Sequence, residues 1–144
     1  MTSPTEQDPG ARLAILTGFW LLAIALPLGI TLEALHALKV PVYLHSALRR
    51  EMWTLAHAHG NLLGVLCLAY GAIAERWLAP APMRRRVARW LVAGAIAMTL
   101  GFFLGGILNF EGDPSLGILF VPLGGACLLI ALGSAVFAVG RPHP

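Results

Sequence analysis

Charged side chains are scarce in this sequence. Only 12% of its 144 residues are Asp, Glu, Lys or Arg, whereas 58% are hydrophobic, and the mean hydropathy is +0.76. Soluble domains carry about 25% charged residues. The scarcity of charge therefore excludes an ordinary soluble globular domain.

Cysteine is also rare, and both cysteines, Cys67 and Cys127, lie in the middle of apolar runs. They offer neither a disulfide framework nor a Cys-x-x-Cys metal motif. We expect them to be small packing side chains. The first apolar run has no basic segment before it and no small-residue cleavage pattern after it, so we interpret it as a retained helix and not as a signal peptide.

Four long runs without charge are present, at residues 13–32, 52–74, 90–110 and 114–140. About 20 apolar residues in a helix cross the hydrocarbon core of a bilayer. The sequence therefore predicts an all-α integral membrane four-helix bundle, a single transmembrane domain over residues 1–144. The predicted spans are at about 13–36, 52–76, 88–110 and 115–139.

The basic residues are placed unevenly around these spans. Four spans put both termini and the second loop on one side of the membrane, and that side holds most of the arginines: Arg12, Arg76, Arg84, Arg85, Arg86, Arg89 and Arg141. The other side holds Lys39, Arg49 and Arg50. The positive-inside rule then predicts cytoplasmic termini in a bacterial inner (plasma) membrane. A formal net charge of +3 accordingly reflects topology, and we expect no nucleic-acid partner.

Most carboxylates and histidines fall on the predicted outer side, which indicates a site there. The carboxylates and histidines on this side, together with Asn109, are Glu33, His36, His45, Glu51, His57, His59, Glu111 and Asp113. Simple exposure in loops is the favoured interpretation of His45, Glu51 and Glu111. His57 and His59 differ because they lie inside the uncharged run 52–74, where ionisable residues usually mark function.

Helical geometry separates these two histidines. Residues two apart are about 200° apart around a helix, so His57 and His59 cannot both bind one metal from a regular helix. His59 is followed on its face by leucines. The face of His57 carries a different set of neighbours, namely Trp53, Gly60, Asn61 and Gly64.

The face of His57 combines a nitrogen ligand with a glycine groove, as an axial haem ligand requires. The sequence therefore predicts His57 as a metal ligand, with Trp53, Gly60, Asn61 and Gly64 as cofactor contacts. His59 and His36 are the alternative ligands. The competing interpretation of the two glycines is a close helix contact, which is common in membranes and needs no cofactor.

Glu33 and His36 form one Glu-x-x-His pair, a motif that di-iron bundles use twice. A single copy disfavours a di-iron site. We expect either a pair at the end of a helix or a carboxylate that orients a histidine.

Three further local predictions concern the helices. Pro27 and Pro122 fall inside predicted spans and are expected to kink them. Asp113 or Ser115 is expected to cap the fourth helix. The glycines of the third and fourth spans predict close helix packing, within or between chains.

Some of these residues resemble a known family. Trp53, His57 four residues later and Gly64 seven residues after that, together with Gly112-Asp113 and Pro122, resemble the motifs of styrene oxide isomerase. That family of small four-span membrane enzymes is similar to hydroxylaminobenzene mutase.

The resemblance implies a haem b held by one axial histidine, here His57, between neighbouring chains of a trimer. Its ferric iron would act as a Lewis acid on the oxygen of a small lipophilic epoxide. This chain departs from the family at Leu63, where the family has asparagine. Its third span also contains neither the aspartate nor the tyrosine of the family's substrate pocket, and Asn61 and Thr99 are candidate replacements.

The leading hypothesis is therefore a haem-b-binding four-helix membrane protein that forms a homo-oligomer and acts as an isomerase on a small hydrophobic substrate. One alternative is a non-catalytic small membrane subunit of a larger complex. The other is an electron carrier that holds haem between two histidines, His57 with His36 or His59.

Overall fold

The computed structural model describes residues 8–78, 81–107, 109 and 112–139. Within these ranges the chain is all-α, as predicted. The helices are α1 (Pro9–Ala37), α2 (Pro41–Leu44), α3 (Ala47–Trp77) and α4 (Ala81–Gly105). A 3-10 turn (Leu116–Leu119) then leads directly into α5 (Phe120–Val139). Glu111 and Arg141, which belong to the charge patterns described above, lie outside the described residues.

Three of the described helical segments are long and apolar enough to cross a membrane. They are α1, α4 and the segment Leu116–Val139, which indicates a multi-pass membrane protein. The second predicted span is not among them. It lies in α3, where charged residues at both ends and the polar side chains of His57, His59 and Asn61 lower the hydropathy.

Two helix ends differ from their predicted positions because side chains fix them. α1 begins at Pro9, where the Asp8 carboxylate accepts hydrogen bonds from the backbone N–H groups of Gly10 (2.8 Å) and Ala11 (3.2 Å). Proline fits this first position because its missing N–H would have no partner there.

α4 ends at Gly105, earlier than the predicted 110. Its last carbonyls bind side chains of α3: Trp53 Nε1 donates to the Phe103 carbonyl at 3.1 Å, and Arg49 Nε donates to the Gly106 carbonyl at 3.0 Å. These donors replace the next helical turn. Residues 108 and 110 of the predicted span lie outside the described part of the chain.

The start of the last helix differs from the local predictions. Pro122 is the third residue of α5, in the first turn, where a proline is tolerated and no kink is required. Ser115 is the N-cap residue of the 3-10 turn that leads into α5. The Ser115 side chain makes no capping bond, and its hydroxyl donates to the Leu104 carbonyl at 2.7 Å. Pro27 does lie inside α1, which continues on both sides of it.

Helices α1, α3 and α4 pack against one another, whereas α5 packs mainly on α4 and the 3-10 turn. Glycines permit these contacts. A Cβ at Gly18 of α1 would lie 2.7 Å from the Gly64 carbonyl oxygen, and a Cβ at Gly124 of α5 would lie 2.9 Å from the Gly94 carbonyl oxygen. The described chain is thus a three-helix core with α5 on one side of it.

An ion pair between the buried Asp8 and the partly exposed Arg84 joins these helices at one end. Arg84 Nη2 lies 3.0 Å from Asp8 Oδ2, Tyr70 donates its hydroxyl hydrogen to the Arg84 carbonyl at 2.7 Å, and Arg84 Nη1 donates to the Leu78 carbonyl at 3.0 Å. Burial raises the pKa of the Asp8 carboxyl. The N–H groups of Ala11 and Gly10 together with the Arg84 guanidinium outweigh this effect, so that its pKa lies below the ordinary value.

Candidate functional site

His57 lies on the side of α3 that faces α1. Its Nδ1 is 2.8 Å from the Ala25 carbonyl oxygen. A carbonyl oxygen only accepts hydrogen bonds, so Nδ1 carries the hydrogen, and Nε2 is the ring nitrogen on which a metal ion would find the lone pair. Metal-ligating histidines are typically held in this way, with the second ring nitrogen donating to a carbonyl or carboxylate.

The imidazole of His57 rests on Gly29 of α1. A Cβ built at Gly29 would lie 2.6 Å from His57 Nδ1 and 2.9 Å from Nε2, which is inside van der Waals contact. Glycine is therefore required here for the close approach of ring and backbone. Sequence analysis missed Gly29 because the contact joins two helices and leaves no periodic signal within either one.

His57 also lines a pocket of about 360 Å³ on the outside of the α1 and α3 pair. Exposed apolar side chains form part of its wall, with Leu26 and Ile30 exposed by 55% and 73%. The pocket consequently opens away from the helix core. Its other lining residues are Gly29, Leu32, Glu33, Tyr43 and Thr54.

Asn61 lies one turn after His57 and contacts it directly. Its Nδ2 donates to the His57 carbonyl at 2.9 Å and lies 3.2 Å from Nδ1 and 3.5 Å from Nε2. Asn61 Oδ1 and Thr99 Oγ1 are buried side-chain oxygens with no hydrogen-bond partner in the described part of the chain. Buried polar atoms nearly always have partners, so these two oxygens suit a water molecule or a polar ligand group.

The groove beside Gly60 and Gly64 is filled by α1. A Cβ at Gly60 would lie 2.8 Å from Ala25 Cβ, and one at Gly64 would lie 3.1 Å from the Gly18 carbonyl oxygen. These glycines serve the helix contact that was the competing interpretation of their spacing. The assignment of Gly60 and Gly64 as cofactor contacts stays a prediction.

Trp53 serves helix packing and does not line the pocket. Its ring stacks between Tyr43 at 6.3 Å and Phe103 at 5.8 Å between centroids. The Arg49 guanidinium carbon lies 5.7 Å from the same ring. These contacts, with the Nε1 hydrogen bond to Phe103, fasten α3 to α2 and to the end of α4. Tyr43 is the aromatic residue that reaches the pocket wall.

The two alternative ligands have separate surroundings. His59 Nδ1 lies 2.9 Å from the Leu55 carbonyl oxygen, and its ring packs 4.6 Å from Phe102 of α4. His36 is exposed and contacts Tyr43 edge to face, with 6.4 Å between ring centroids. Among the described residues no three His, Cys, Asp or Glu side chains cluster to hold a bare metal ion. A haem needs one protein ligand only.

Among the predicted contact residues, Asn61 lies against His57, whereas Gly60, Gly64 and Trp53 pack between helices. Three residues that were not predicted as contacts, Gly29, Glu33 and Tyr43, also line the pocket. Comparison of the chain with protein-family models, with curated proteins and with solved structures gave no match. The resemblance to styrene oxide isomerase therefore depends on the motif residues alone and stays a prediction.

Proposed function

We propose that this protein is a haem-b-binding membrane protein in which Nε2 of His57 would bind the iron. The observation that carries the proposal is the hydrogen bond from His57 Nδ1 to the Ala25 carbonyl. This hydrogen bond orients the ring and keeps the hydrogen on Nδ1, so Nε2 is the nitrogen left for a metal in a side chain that lines the pocket.

The pocket residues fit one edge of a haem. Gly29 lets the imidazole of His57 pack against α1, Leu26 and Ile30 provide an apolar wall, and Glu33 provides a carboxylate at the same pocket. A haem is larger than this cavity of about 360 Å³, so part of it would extend beyond the chain. A neighbouring copy that covers this part would make the protein a homo-oligomer, a trimer if the resemblance holds.

We propose in addition that α3 crosses the membrane between α1 and α4, which completes a four-helix membrane protein. Charged residues flank its apolar part at both ends, with Arg49, Arg50 and Glu51 before it and Glu75 and Arg76 after it. Its packing against two apolar helices supports a shared direction across the bilayer. The arginine distribution supports cytoplasmic termini in a bacterial inner membrane.

The activity we propose is the isomerisation of a small lipophilic epoxide. Ferric haem, when bound, supplies an open coordination position that is a Lewis acid toward an oxygen atom. The chain's own residues orient the ligand and exclude water. Ala25 keeps the hydrogen on Nδ1 of His57, and the apolar side chains of Leu26, Ile30 and Leu32 keep water from the pocket.

Titration of the purified full-length chain with haem b in detergent tests the proposal. We expect the native chain to develop a saturable Soret band and His57→Ala to lose it, because the ligand nitrogen is gone. His59→Ala is the matched control, since His59 packs on Phe102, and it should bind haem like the native chain. Equal binding by native and His57→Ala chains, or no band in the native chain, would refute the proposal.

The spin state of the bound iron separates catalysis from electron transfer. A five-coordinate ferric haem retains the open position that the isomerase needs. A six-coordinate low-spin spectrum that becomes five-coordinate in His36→Ala or His59→Ala would instead identify a bis-histidine electron carrier. Absence of haem binding would favour a non-catalytic subunit.

A further inference from the structure

A basic groove lies on the first turns of α4, away from the histidine pocket. It has a volume of about 700 Å³ and is lined by Pro82, Arg85, Arg86, Arg89, Trp90 and Ala93. All three arginines are exposed. No carboxylate within the described ranges pairs with any of them, whereas their neighbour Arg84 pairs with Asp8. One arginine of the cluster thus holds the fold together, and three face outward around a cavity.

An apolar stripe continues from this groove along the same face of α4. Trp90, Ala93, Ala97, Leu100 and Leu104 follow one another at intervals of three or four residues, which places them on one side of the helix. The larger side chains of the stripe are accessible, with Trp90, Leu100 and Leu104 exposed by 38%, 48% and 36%. The groove is therefore cationic at one end and continuous with an exposed hydrocarbon surface at the other.

We propose that this groove binds the phosphate head group of an anionic phospholipid, whose acyl chains lie along the stripe. Guanidinium groups bind phosphate through paired, charge-assisted hydrogen bonds. Tryptophan is favoured at the level of lipid head groups, and basic clusters next to membrane helices recognise anionic lipids. A free phosphate would bind the arginines and make no contact with the apolar stripe. A phospholipid would bind the arginines through its head group and the stripe through its acyl chains.

The proposal is tested by quenching of tryptophan fluorescence in vesicles. The full-length chain is reconstituted in phosphatidylcholine vesicles that contain one brominated lipid. In one set of vesicles the bromine is on the acyl chains of phosphatidylglycerol, and in the other set it is on the acyl chains of phosphatidylcholine. The Trp90→Phe variant identifies the share of Trp90 among the four tryptophans. We expect brominated phosphatidylglycerol to quench Trp90 more strongly than brominated phosphatidylcholine at equal mole fraction.

Charge-matched variants distinguish a site from a general attraction to the surface. Arg86→Gln/Arg89→Gln should lower the preference for phosphatidylglycerol about 25-fold, since each of the two arginines contributes roughly fivefold to the binding of an anionic head group. Arg12→Gln/Arg76→Gln removes two exposed arginines from the same end of the molecule and should keep the preference. Quenching by brominated phosphatidylcholine verifies that each variant is inserted.

Three results would overturn the proposal. They are equal quenching of Trp90 by the two brominated lipids, an equal loss of preference in both double variants, and displacement of brominated phosphatidylglycerol by inorganic phosphate. The last would identify a site for a free anion. These outcomes are independent of the result of the haem titration, because the groove shares no residue with the histidine pocket.

Discussion

At the level of single residues, the position of the His57 ring depends on the missing side chain at Gly29. In Gly29→Ala the new methyl group would overlap the imidazole, so the ring moves away from the Ala25 carbonyl. We predict that haem affinity falls about 10- to 100-fold, the usual effect of disturbing the partner of a ligating histidine. Helix content should not change, since a side-chain rotation relieves the overlap.

Gly133→Ala is the matched control for this variant. A Cβ at Gly133 has nothing within 4 Å, so the same chemical change in α5 should leave the haem titration as it is. Full haem affinity in Gly29→Ala would show that the Ala25 contact does not position the ligand.

A second residue, Asp8, predicts how stability depends on pH. Its pKa in the folded chain is lower than the ordinary value of 3.8, so its carboxylate stabilises the fold. That contribution is complete above the ordinary pKa and disappears as the pH falls through the lower pKa of the folded state. Asp8→Asn should therefore lower the free energy of unfolding by about 2 kcal/mol at neutral pH.

Unfolding of the detergent-solubilised chain followed between pH 7 and pH 3 measures this effect. We expect the difference between the native chain and Asp8→Asn to shrink at the acid end. Asp113→Asn, at an exposed carboxyl, is the control and should match the native chain throughout. A difference that is independent of pH would assign the effect to lost packing.

At the level of helices, glycines of α1 and α3 determine how closely the two approach. A Cβ at Gly64 would lie 3.1 Å from both the Gly18 carbonyl oxygen and Leu22 Cγ. We predict that Gly64→Val destabilises the chain by about 1–3 kcal/mol, the usual penalty of overpacking, as measured by thermal unfolding in detergent.

Gly125→Val provides the comparison for that helix contact. The nearest atom to a Cβ at Gly125 is Met98 Cε at 3.6 Å, the end of a flexible side chain, so this variant should unfold close to the native temperature. Equal stability of Gly64→Val and the native chain would contradict the close contact of α1 with α3.

The helices themselves were predictable because runs of apolar residues report on each helix separately. The pairing between helices was not. The spacing of Gly60 and Gly64 fitted a cofactor groove and a helix contact equally well, and only the position of Ala25 on α1 distinguishes them.

The candidate site was predictable to the same extent. His57 stands out in sequence as an ionisable group in an apolar run, whereas Gly29 and Tyr43 contribute through tertiary contacts. Arg84 could not be distinguished by sequence from the neighbouring arginines. Its ion pair is with Asp8, which lies 76 residues away, and nothing in the local sequence indicates this pair.

At the level of the whole molecule, polar chemistry is divided between two ends. The Asp8 and Arg84 pair and the exposed arginines lie where α1 and α4 begin, and His57 lies in the first half of α3. Helix α5 packs mainly on α4, and its outer face is apolar and accessible, with Phe137 exposed by 75%. Both this face and the histidine pocket point outward, which suits lipid and a neighbouring copy.

The central claim, that His57 binds the iron through one nitrogen, is tested most directly by chemical rescue. His57→Gly is purified with haem b by size exclusion, with and without free imidazole. We predict that the variant alone elutes without a Soret band and that imidazole restores a band that elutes with the protein, because the free ring replaces the missing side chain. A native spectrum in His57→Gly without imidazole, or no band with it, would contradict the account.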